Sequence, residues 1–322
     1  MESTSTVVVG GGIAGFACAR ALADAGRPVR VVDRGRAPGG RMAGRTLHGR
    51  PVDLGASYLT ASEGSSFAAV VSGWTERGLA RPWTDTFAVA DATGLTGTTT
   101  GPLRYGTPGG LRTLVADLAT GVDATPGHVV ETVTVGPDGL PAVDGEPAPA
   151  VALALPDPQA ARLLDGPTAG RLGLDADGWE PVVAVALGFA DRRWPADLHG
   201  VFVNDSPELA WIADDGDRRG DGAPVLVAHS TGPLAARHLA EPDAVTPVLV
   251  AAVTWLLGLD REPEWTHAHR WTYARPGTPR EEPFGRDGRL GVCGDGWSAP
   301  PRVESAWRSG DALGRALSAD LG

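Results

Sequence analysis

Residues 6 to 33 constrain the fold of this 322-residue chain more than any other segment. They read TVVVGGGIAGFACARALADAGRPVRVVD, which predicts a β-branched strand, a glycine turn, a helix of small residues and a second apolar strand. This order is a βαβ unit, so we expect a parallel sheet covered by helices. Gly10, Gly12 and Gly15 form G-x-G-x-x-G where the first strand meets the helix, which is typical of a dinucleotide-binding turn.

Each glycine of this turn has a separate expected role. Gly10 permits the tight turn, Gly12 lets the backbone approach a pyrophosphate, and Gly15 lets the helix pack close to the sheet. The N-terminus of the helix then faces the phosphates. Asp33 ends the second strand, where its carboxylate can accept hydrogen bonds from an adenosine ribose and disfavours the 2′-phosphate of NADP. The alternative is that the glycines serve only the strand-to-helix turn.

A second glycine loop favours FAD over a nicotinamide dinucleotide. The loop RGRAPGGRMAGR follows Asp33 and precedes PVDLGASYL. An extended FAD needs a second close approach of the backbone, and Arg41 can neutralise the pyrophosphate charge that a helix dipole compensates only partly. Arg41 could also be an ordinary surface arginine.

The carboxyl-terminal segment from 290 to 318 predicts a short strand, a turn at Gly294 and Asp295, a proline-bounded loop and an amphipathic helix. The two prolines leave the amides near Arg302 and Val303 free, so the positive end of the helix dipole can point at a flavin. Taken alone, the segment could equally be a plain terminal helix. The predicted apolar face of this helix consists of Val303, Ala306, Gly310, Leu313 and Leu317.

Composition excludes several chemistries. All 28 cationic Lys or Arg positions are arginine, which excludes a Schiff-base lysine, a pyridoxal phosphate enzyme and a P-loop. The net charge of −11 offers nucleic acid or an anionic membrane no cationic surface. Two distant cysteines imply no disulfide framework, and we found neither a Ser/His/Asp set nor metal-ligand spacing beyond His267 and His269. With no leader-like start and no apolar stretch long enough to span a bilayer, we expect a cytoplasmic protein without a metal site.

Three pairs of motifs together resemble the FAD-dependent amine oxidase superfamily, and more closely its short renalase-like bacterial branch. They are VVVGGGIAG with Asp33, APGGRMAGR followed by VDLGASYL, and CGDGW followed by RVESAWRSG. Further agreement comes from YGTPGGL at 105 to 111, VALALPDPQAARLL at 151 to 164, VNDSPELAWIA at 203 to 213 and HRWTYARP at 269 to 276. The resemblance covers nearly the whole chain and is most specific at its ends.

The resemblance implies an α/β fold with a Rossmann-like FAD-binding domain of the GR2 type and a second domain of mostly antiparallel sheet plus helices. The discontinuous FAD-binding domain would comprise 1–57, 102–168 and 286–322, and the substrate domain 58–101 and 169–285. In the family, a strand such as HVVETVTV from His128 meets the adenine through backbone groups, which points to Val129 or Val130. We also expect a helix from Leu111 to Leu118, another from Val245 to Leu256, and a solvated loop at 214–222.

The resemblance also implies a set of site residues. Non-covalent FAD would be bound by Gly10, Gly12, Ile13, Ala14, Gly15, Asp33, Arg34, Gly40, Arg41, Met42, Gly55, Ala56, Ser57, Val129, Val130, Gly294, Asp295, Arg302, Val303 and Ala306. The candidates on the substrate side are Tyr58, His229, Trp271 and Tyr273. His229 could orient a substrate or be a core histidine, and Trp271 could belong to the core.

The resemblance finally implies an FAD-dependent oxidase. A small planar donor such as a dihydronicotinamide isomer would give hydride to flavin N5, and O2 would reoxidise the flavin to give H2O2. The chain lacks the lysine that hydrogen-bonds the N5 water in typical amine oxidases, and it reads DLGASYLT where renalase-like proteins read like DHGAQYFT. The alternatives are an amine oxidase or desaturase of a secondary metabolite, and a flavin-binding module without turnover. The expected partners are a small substrate and O2, not nucleic acid or a membrane; monomer and dimer both stay open.

Overall fold

The computed structural model of the chain describes residues 5–321. Strands alternate with helices in the order that the amino-terminal pattern predicts. The strands are β1 (Thr6–Val9), β2 (Val29–Asp33), β3 (Gly44–Leu47), β4 (Arg50–Asp53), β5 (Arg81–Asp91), β6 (Gly94–Gly106), β7 (Asp123–Pro126), β8 (Val133–Val135), β9 (Pro141–Val143), β10 (Glu146–Pro147), β11 (Val151–Leu153), β12 (Trp179–Gly188), β13 (Gly200–Val203), β14 (Leu209–Asp214), β15 (Val225–Ser230), β16 (Trp265–Pro276), β17 (Gly285–Asp287) and β18 (Leu290–Val292).

The helices include the one after the first glycine turn and the long one near the carboxyl end. They are α1 (Ile13–Asp24), α2 (Ser66–Glu76), α3 (Arg112–Ala119), α4 (Asp157–Ala161), α5 (Gly166–Arg171), α6 (Asp215–Arg219), α7 (Gly232–Arg237), α8 (Thr246–Leu256) and α9 (Val303–Asp320), with 3₁₀ turns at Gly40–Met42 and Pro242–Val245. Among the residues described, no helix is both long and apolar enough to cross a membrane.

The chain divides into two compact units. The first unit comprises Met1–Met42, Leu114–Trp179 and Arg275–Gly322, and the second unit comprises Ala43–Thr113 and Glu180–Ala274. The division of the chain into a cofactor domain and a substrate domain, with the boundaries given above, stays a prediction.

The first unit contains a mostly parallel sheet of six strands. Its strand order is β17-β18-β11-β1-β2-β7, in which all neighbours pair parallel except β17 with β18. β1 therefore lies between β2 and β11, with the glycine turn at its carboxyl end, where dinucleotides bind in open α/β sheets. A small sheet of order β10-β9-β8 accompanies it. The predicted Rossmann-like fold is confirmed.

Glycines let α9 pack directly on α1. A Cβ added at Gly310 would lie 2.0 Å from the carbonyl oxygen of Ala14, and one at Gly314 would lie 2.5 Å from that of Cys18. Such distances are far below contact distance, so the two backbones approach in a way that only glycine permits. Gly310 belongs to the predicted apolar face of α9, whereas Gly314 does not; Leu313 and Leu317 of that face are buried, and Leu313 lies against Gly291 of β18.

The second unit is built on a seven-stranded sheet of order β16-β12-β15-β14-β13-β5-β6. β5 pairs parallel with β13, whereas β12 with β15, β15 with β14, β14 with β13 and β5 with β6 pair antiparallel. Helix α8 packs on one face of this sheet. Its Leu249 and Val253 form a buried cluster with sheet residues that include Val183, Val185 and Leu187. The mostly antiparallel sheet with helices is the second component that the sequence predicts.

Two local expectations are wrong. Most of the run at 214–222 is not a solvated loop, because Asp215–Arg219 form the buried helix α6, in which Asp215 is 0% and Arg218 1% exposed; only the residues at 220–222 are exposed outside it. Its acids and arginines neutralise one another, which lowers the cost of burying them. The strand expected from His128 begins only at Val133; the amide of His128 instead donates to the carbonyl of Asp33 at 2.9 Å.

Candidate functional site

Two of the three glycines of the first motif, Gly10 and Gly15, stand where a side chain would collide with the backbone. Gly10 has a φ of +115°, and a Cβ there would lie 2.5 Å from the carbonyl oxygen of Ala154. A Cβ at Gly15 would lie 1.9 Å from the Gly10 oxygen. Gly12 is the N-cap of α1 and supplies no side-chain cap, so the first-turn N–H groups of Ile13 and its neighbours are suited to hold an anion.

The second glycine loop lies against the first. A Cβ at Gly40, whose φ is +52°, would lie 3.0 Å from the Cα of Gly12, and the amide of Gly39 donates to the carbonyl of Gly11 at 2.9 Å. Met42, the last residue of the 3₁₀ turn after this loop, is buried. The structure thus brings together two groups of predicted cofactor residues that are about 30 positions apart in the sequence.

Asp33 has a role that the sequence does not reveal. One carboxylate oxygen accepts the N–H of Gly11 and the other accepts the N–H of Gly35. Asp33 therefore fixes the glycine turn, and each oxygen keeps a lone pair that a ribose hydroxyl can use. Arg34 is exposed beside it. The segment that follows β7 leaves Val129 56% exposed and Val130 buried.

Arg41 and Asp295 form a two-pronged ion pair. Arg41 Nη1 donates to Asp295 Oδ2 at 2.7 Å and Nη2 donates to Oδ1, while the guanidinium carbon lies 5.2 Å from the centre of the Trp179 ring. The Arg41 charge is thereby partly compensated, which the sequence did not indicate. The amide of Gly294 donates to Ser309 Oγ at 3.0 Å and fixes the turn before α9.

The start of α9 is also open to a ligand through its backbone. Arg302 is its N-cap in extended conformation, with no capping side chain. The Arg302 side chain instead lies 3.2 Å from the carboxylate of Glu304, which is fully buried. Val303 begins the helix and Ala306 is buried within its first turns.

In the second unit, three side chains hold the irregular segment from Leu54 to Tyr58, which contains the predicted cofactor residues Gly55, Ala56 and Ser57. Trp271 Nε1 donates to the Leu54 carbonyl at 2.8 Å, and Trp211 Nε1 donates to Ser57 Oγ at 3.0 Å. Arg218 Nη1 donates to the Ser57 carbonyl. Arg218 and Trp211 were missed as site residues.

The sheet face opposite α8 is aromatic. Trp211 and Phe87 have ring centres 4.8 Å apart, and the centre of the Tyr58 ring lies 5.8 Å from that of Trp211 and 5.4 Å from that of Phe87. His229 pairs with Trp211 in neighbouring strands, so both side chains share this face, where His229 is 8% exposed.

Trp271 and Tyr273 extend this face along the edge strand β16. The two residues are two positions apart in the strand, so their side chains point to the same side of the sheet. Trp271 packs in an apolar cluster with Leu54, Ala184 and Val227. The Trp271 ring and its indole N–H thus both have partners within the second unit, and its place beside a substrate stays a prediction.

Beneath the segment from Leu54 to Tyr58 lies a buried ionic network. Arg219 lies 2.9 Å from Asp53 and 3.0 Å from Asp215, and Arg50 lies 2.7 Å from Asp215. Burial raises the pKa of Asp53 although Arg218 and Arg219 oppose the shift. Burial also acts to raise the pKa of Asp215, but the three arginines outweigh it and the pKa is lowered.

One sequence signal for this network was available. Asp215 stands three and four positions before Arg218 and Arg219, the spacing at which side chains meet on one face of a helix. Across residues 5–321, no three His, Cys, Asp or Glu side chains cluster in a way that could hold a metal ion.

Comparisons with known proteins match the amino-terminal motif and the fold. Residues 8–72 match the NAD(P)-binding Rossmann-like domain family. Polyamine oxidase 4 of Oryza sativa subsp. japonica is 46% identical over 55 residues, which is 17% of this chain and 11% of that protein. The chain therefore aligns with only about a tenth of the length of this relative.

Solved structures resemble the chain over its whole length. Cyclohexylamine oxidase from Brevibacterium oxydans IH-35A has a TM-score of 0.77 at 13% identity, covering 99% of both chains. A proposed protoporphyrinogen oxidase from Exiguobacterium sp. 255-15 has a TM-score of 0.77 at 15% identity, covering 99% of this chain and 100% of the other. At this identity the similarity establishes the fold, a Rossmann-like nucleotide-binding unit with an added sheet and helices.

Proposed function

We propose that this protein is an FAD-dependent oxidoreductase of the amine oxidase superfamily. The observation that carries the proposal is the contact of the two glycine loops, where a Cβ at Gly40 would lie 3.0 Å from the Gly12 Cα. A nicotinamide dinucleotide needs only the first loop. The matched polyamine oxidase and the oxidases of similar fold support the same cofactor chemistry.

The chain's own residues supply binding and orientation. The uncapped amides at the start of α1 would take the pyrophosphate, Asp33 would take the ribose, and the amides at the start of α9 would face the flavin. Arg41, held by Asp295, adds a fixed donor rather than a free cation. We propose non-covalent binding by these and the other predicted residues. FAD held by these residues would supply the hydride acceptor, and O2 would be the expected electron acceptor, giving H2O2.

The aromatic sheet face supports a small planar donor, and we propose the renalase-like reaction with a dihydronicotinamide isomer as the finer assignment. Tyr58 and His229 would border the donor, while Trp271 would orient the segment next to it. The absence of lysine removes the usual partner of the N5 water. A dihydronicotinamide becomes an aromatic cation on losing hydride, so its oxidation needs no base. Cytoplasmic location and O2 as acceptor stay predictions.

Gly12→Ala tests FAD binding without disturbing the fold. A Cβ at Gly12 would meet only the Gly40 Cα, at 3.8 Å, and Gly12 has a φ of −86°, which alanine adopts freely. We expect the unliganded variant to melt like the wild type but to bind FAD at least about tenfold more weakly, since the methyl group blocks the pyrophosphate. Equal FAD affinity of the two proteins would refute the placement of the pyrophosphate at this turn, and a colourless wild type that FAD does not stabilise would overturn the proposal.

Stopped-flow reduction of the wild-type flavin separates the candidate reactions. Bleaching by dihydronicotinamide isomers supports the renalase-like assignment, and bleaching only by amines supports an amine oxidase. That second candidate is favoured by the structural similarity to cyclohexylamine oxidase. A bound flavin that no organic donor reduces would indicate a binding module without turnover.

A further inference from the structure

We propose that Arg218 is a positioning residue that sets the backbone of the segment Leu54–Tyr58 for the flavin. The inference rests on the proposed function, in which Gly55, Ala56 and Ser57 contact the cofactor. Arg218 is 1% exposed, and its Nη1 donates to the Ser57 carbonyl oxygen. A buried carbonyl needs a donor, and this segment has no helix or strand at 54–58 to provide one.

The Arg218 side chain is itself held in one arrangement. Its Nη2 donates to Asp215 and lies 3.5 Å from Asp53. Arg81 donates to the Arg218 carbonyl at 3.1 Å, and a Cβ at Gly106 would lie 2.8 Å from the Arg218 Cγ. Since both ends of the residue are fixed, its guanidinium can define where the Ser57 carbonyl lies.

Arg219 provides a matched comparison in the same network. It is also buried, and it also binds Asp53 and Asp215, at 2.9 and 3.0 Å. Its remaining contact runs to the Pro108 carbonyl at 3.4 Å, not to the segment Leu54–Tyr58. Replacing either arginine removes a buried guanidinium from the same two acids, but only replacement of Arg218 removes the donor to the Ser57 carbonyl.

The experiment compares Arg218→Lys with Arg219→Lys. A lysine keeps the charge but has a single nitrogen, which cannot bridge two partners as the planar fork does. Each FAD-loaded variant is measured for melting temperature, visible flavin spectrum and the rate of flavin reduction at saturating donor. We expect similar losses of melting temperature, a shifted spectrum and at least tenfold slower reduction in Arg218→Lys, and a spectrum and rate within twofold of wild type in Arg219→Lys.

Hydrogen exchange of the cofactor-free proteins gives a readout that does not depend on the flavin. Amide exchange in peptides covering 54–60 should rise in Arg218→Lys and not in Arg219→Lys. If either variant fails to fold, Trp211→Phe, which removes the bond to Ser57 Oγ, should raise exchange in the same peptides. Equal effects of the two lysine variants, or no effect of Arg218→Lys, would overturn the inference. A wild type that binds no FAD would instead refute the proposed function.

Discussion

Asp33→Asn would separate two tasks that meet in one side chain, the bracing of the glycine turn and the binding of a ribose. Both carboxylate oxygens accept main-chain N–H groups, from Gly11 and from Gly35. An asparagine has one acceptor oxygen and one NH2 group, so one of these two N–H groups would face another donor. The substitution therefore weakens the turn even before any cofactor binds.

The expected cost follows from the bond that is lost. A hydrogen bond to a charged group contributes about 1.5–3 kcal/mol, and the part-buried setting of Asp33 favours the lower half, about 2 kcal/mol. For a folding unit of roughly 150 residues this lowers the melting temperature by about 4–8 °C. Loss of the charged acceptor for the ribose should weaken FAD binding by a further factor of about ten.

The assay is thermal unfolding of the cofactor-free protein, followed by FAD titration. Asp24→Asn makes the same chemical change at an exposed position at the end of α1, and we expect it to alter stability by less than about 0.5 kcal/mol. If cofactor-free Asp33→Asn melts with the wild type and only FAD affinity falls, the bracing role is refuted and the ribose role stands alone.

Three further substitutions test packing and pH dependence. Gly310→Ala places a Cβ 2.0 Å from the Ala14 oxygen and should destabilise by about 1–3 kcal/mol in urea unfolding, whereas Gly73→Ala in α2, whose nearest contact is a flexible arginine at 3.4 Å, should stabilise by about 0.5–1 kcal/mol. A stable Gly310→Ala protein would contradict the close helix contact. Burial, aided by nearby cations, lowers the pKa of His269 to about 4. Between about pH 6.5 and 4 the unfolded state therefore binds the proton more tightly, so acidification lowers the free energy of unfolding. Because solvent screens this half-buried ring, we expect a loss of about 1–2 kcal/mol, and His269→Gln should lose this part of the pH dependence of stability. Parallel pH profiles of wild type and variant would show that His269 does not stay neutral in the fold.

Local constraints explain why the sequence predicted the βαβ unit and the helix α9. The turn at Gly10 needs a residue that tolerates a positive φ, and the strand before it favours β-branched residues. Both requirements depend only on residues that are neighbours in the sequence. The helix α9 was likewise predicted, from the helical spacing of its apolar residues. The strand expected from His128 failed because backbone pairing with Asp33, almost a hundred positions away, overrides the local β preference.

The charged residues show the limit of local reasoning. The run at 214–222 has the composition of a loop, yet Asp215 and Arg218 are buried because Asp53, Arg50 and Arg219 complete an ionic network around them. Similarly, the sequence predicts a free cation at Arg41, whereas in the structure Arg41 forms an ion pair with Asp295, 254 positions away. The three side chains that donate hydrogen bonds to the segment Leu54–Tyr58 lie far away in the sequence. They are Trp211 in β14, Arg218 in α6 and Trp271 in β16.

The sequence by itself determined the parallel βαβ core, the glycine turns and the acid that follows β2, because steric limits at glycine and the period of apolar residues act over a few neighbouring positions. Only the tertiary structure decided which charges are buried, which carbonyls have side-chain donors and which aromatic rings share a sheet face. The free energy of burying a charge or a carbonyl depends on the partner placed within hydrogen-bond reach. In this chain those partners come from positions that only the folded sheets bring together.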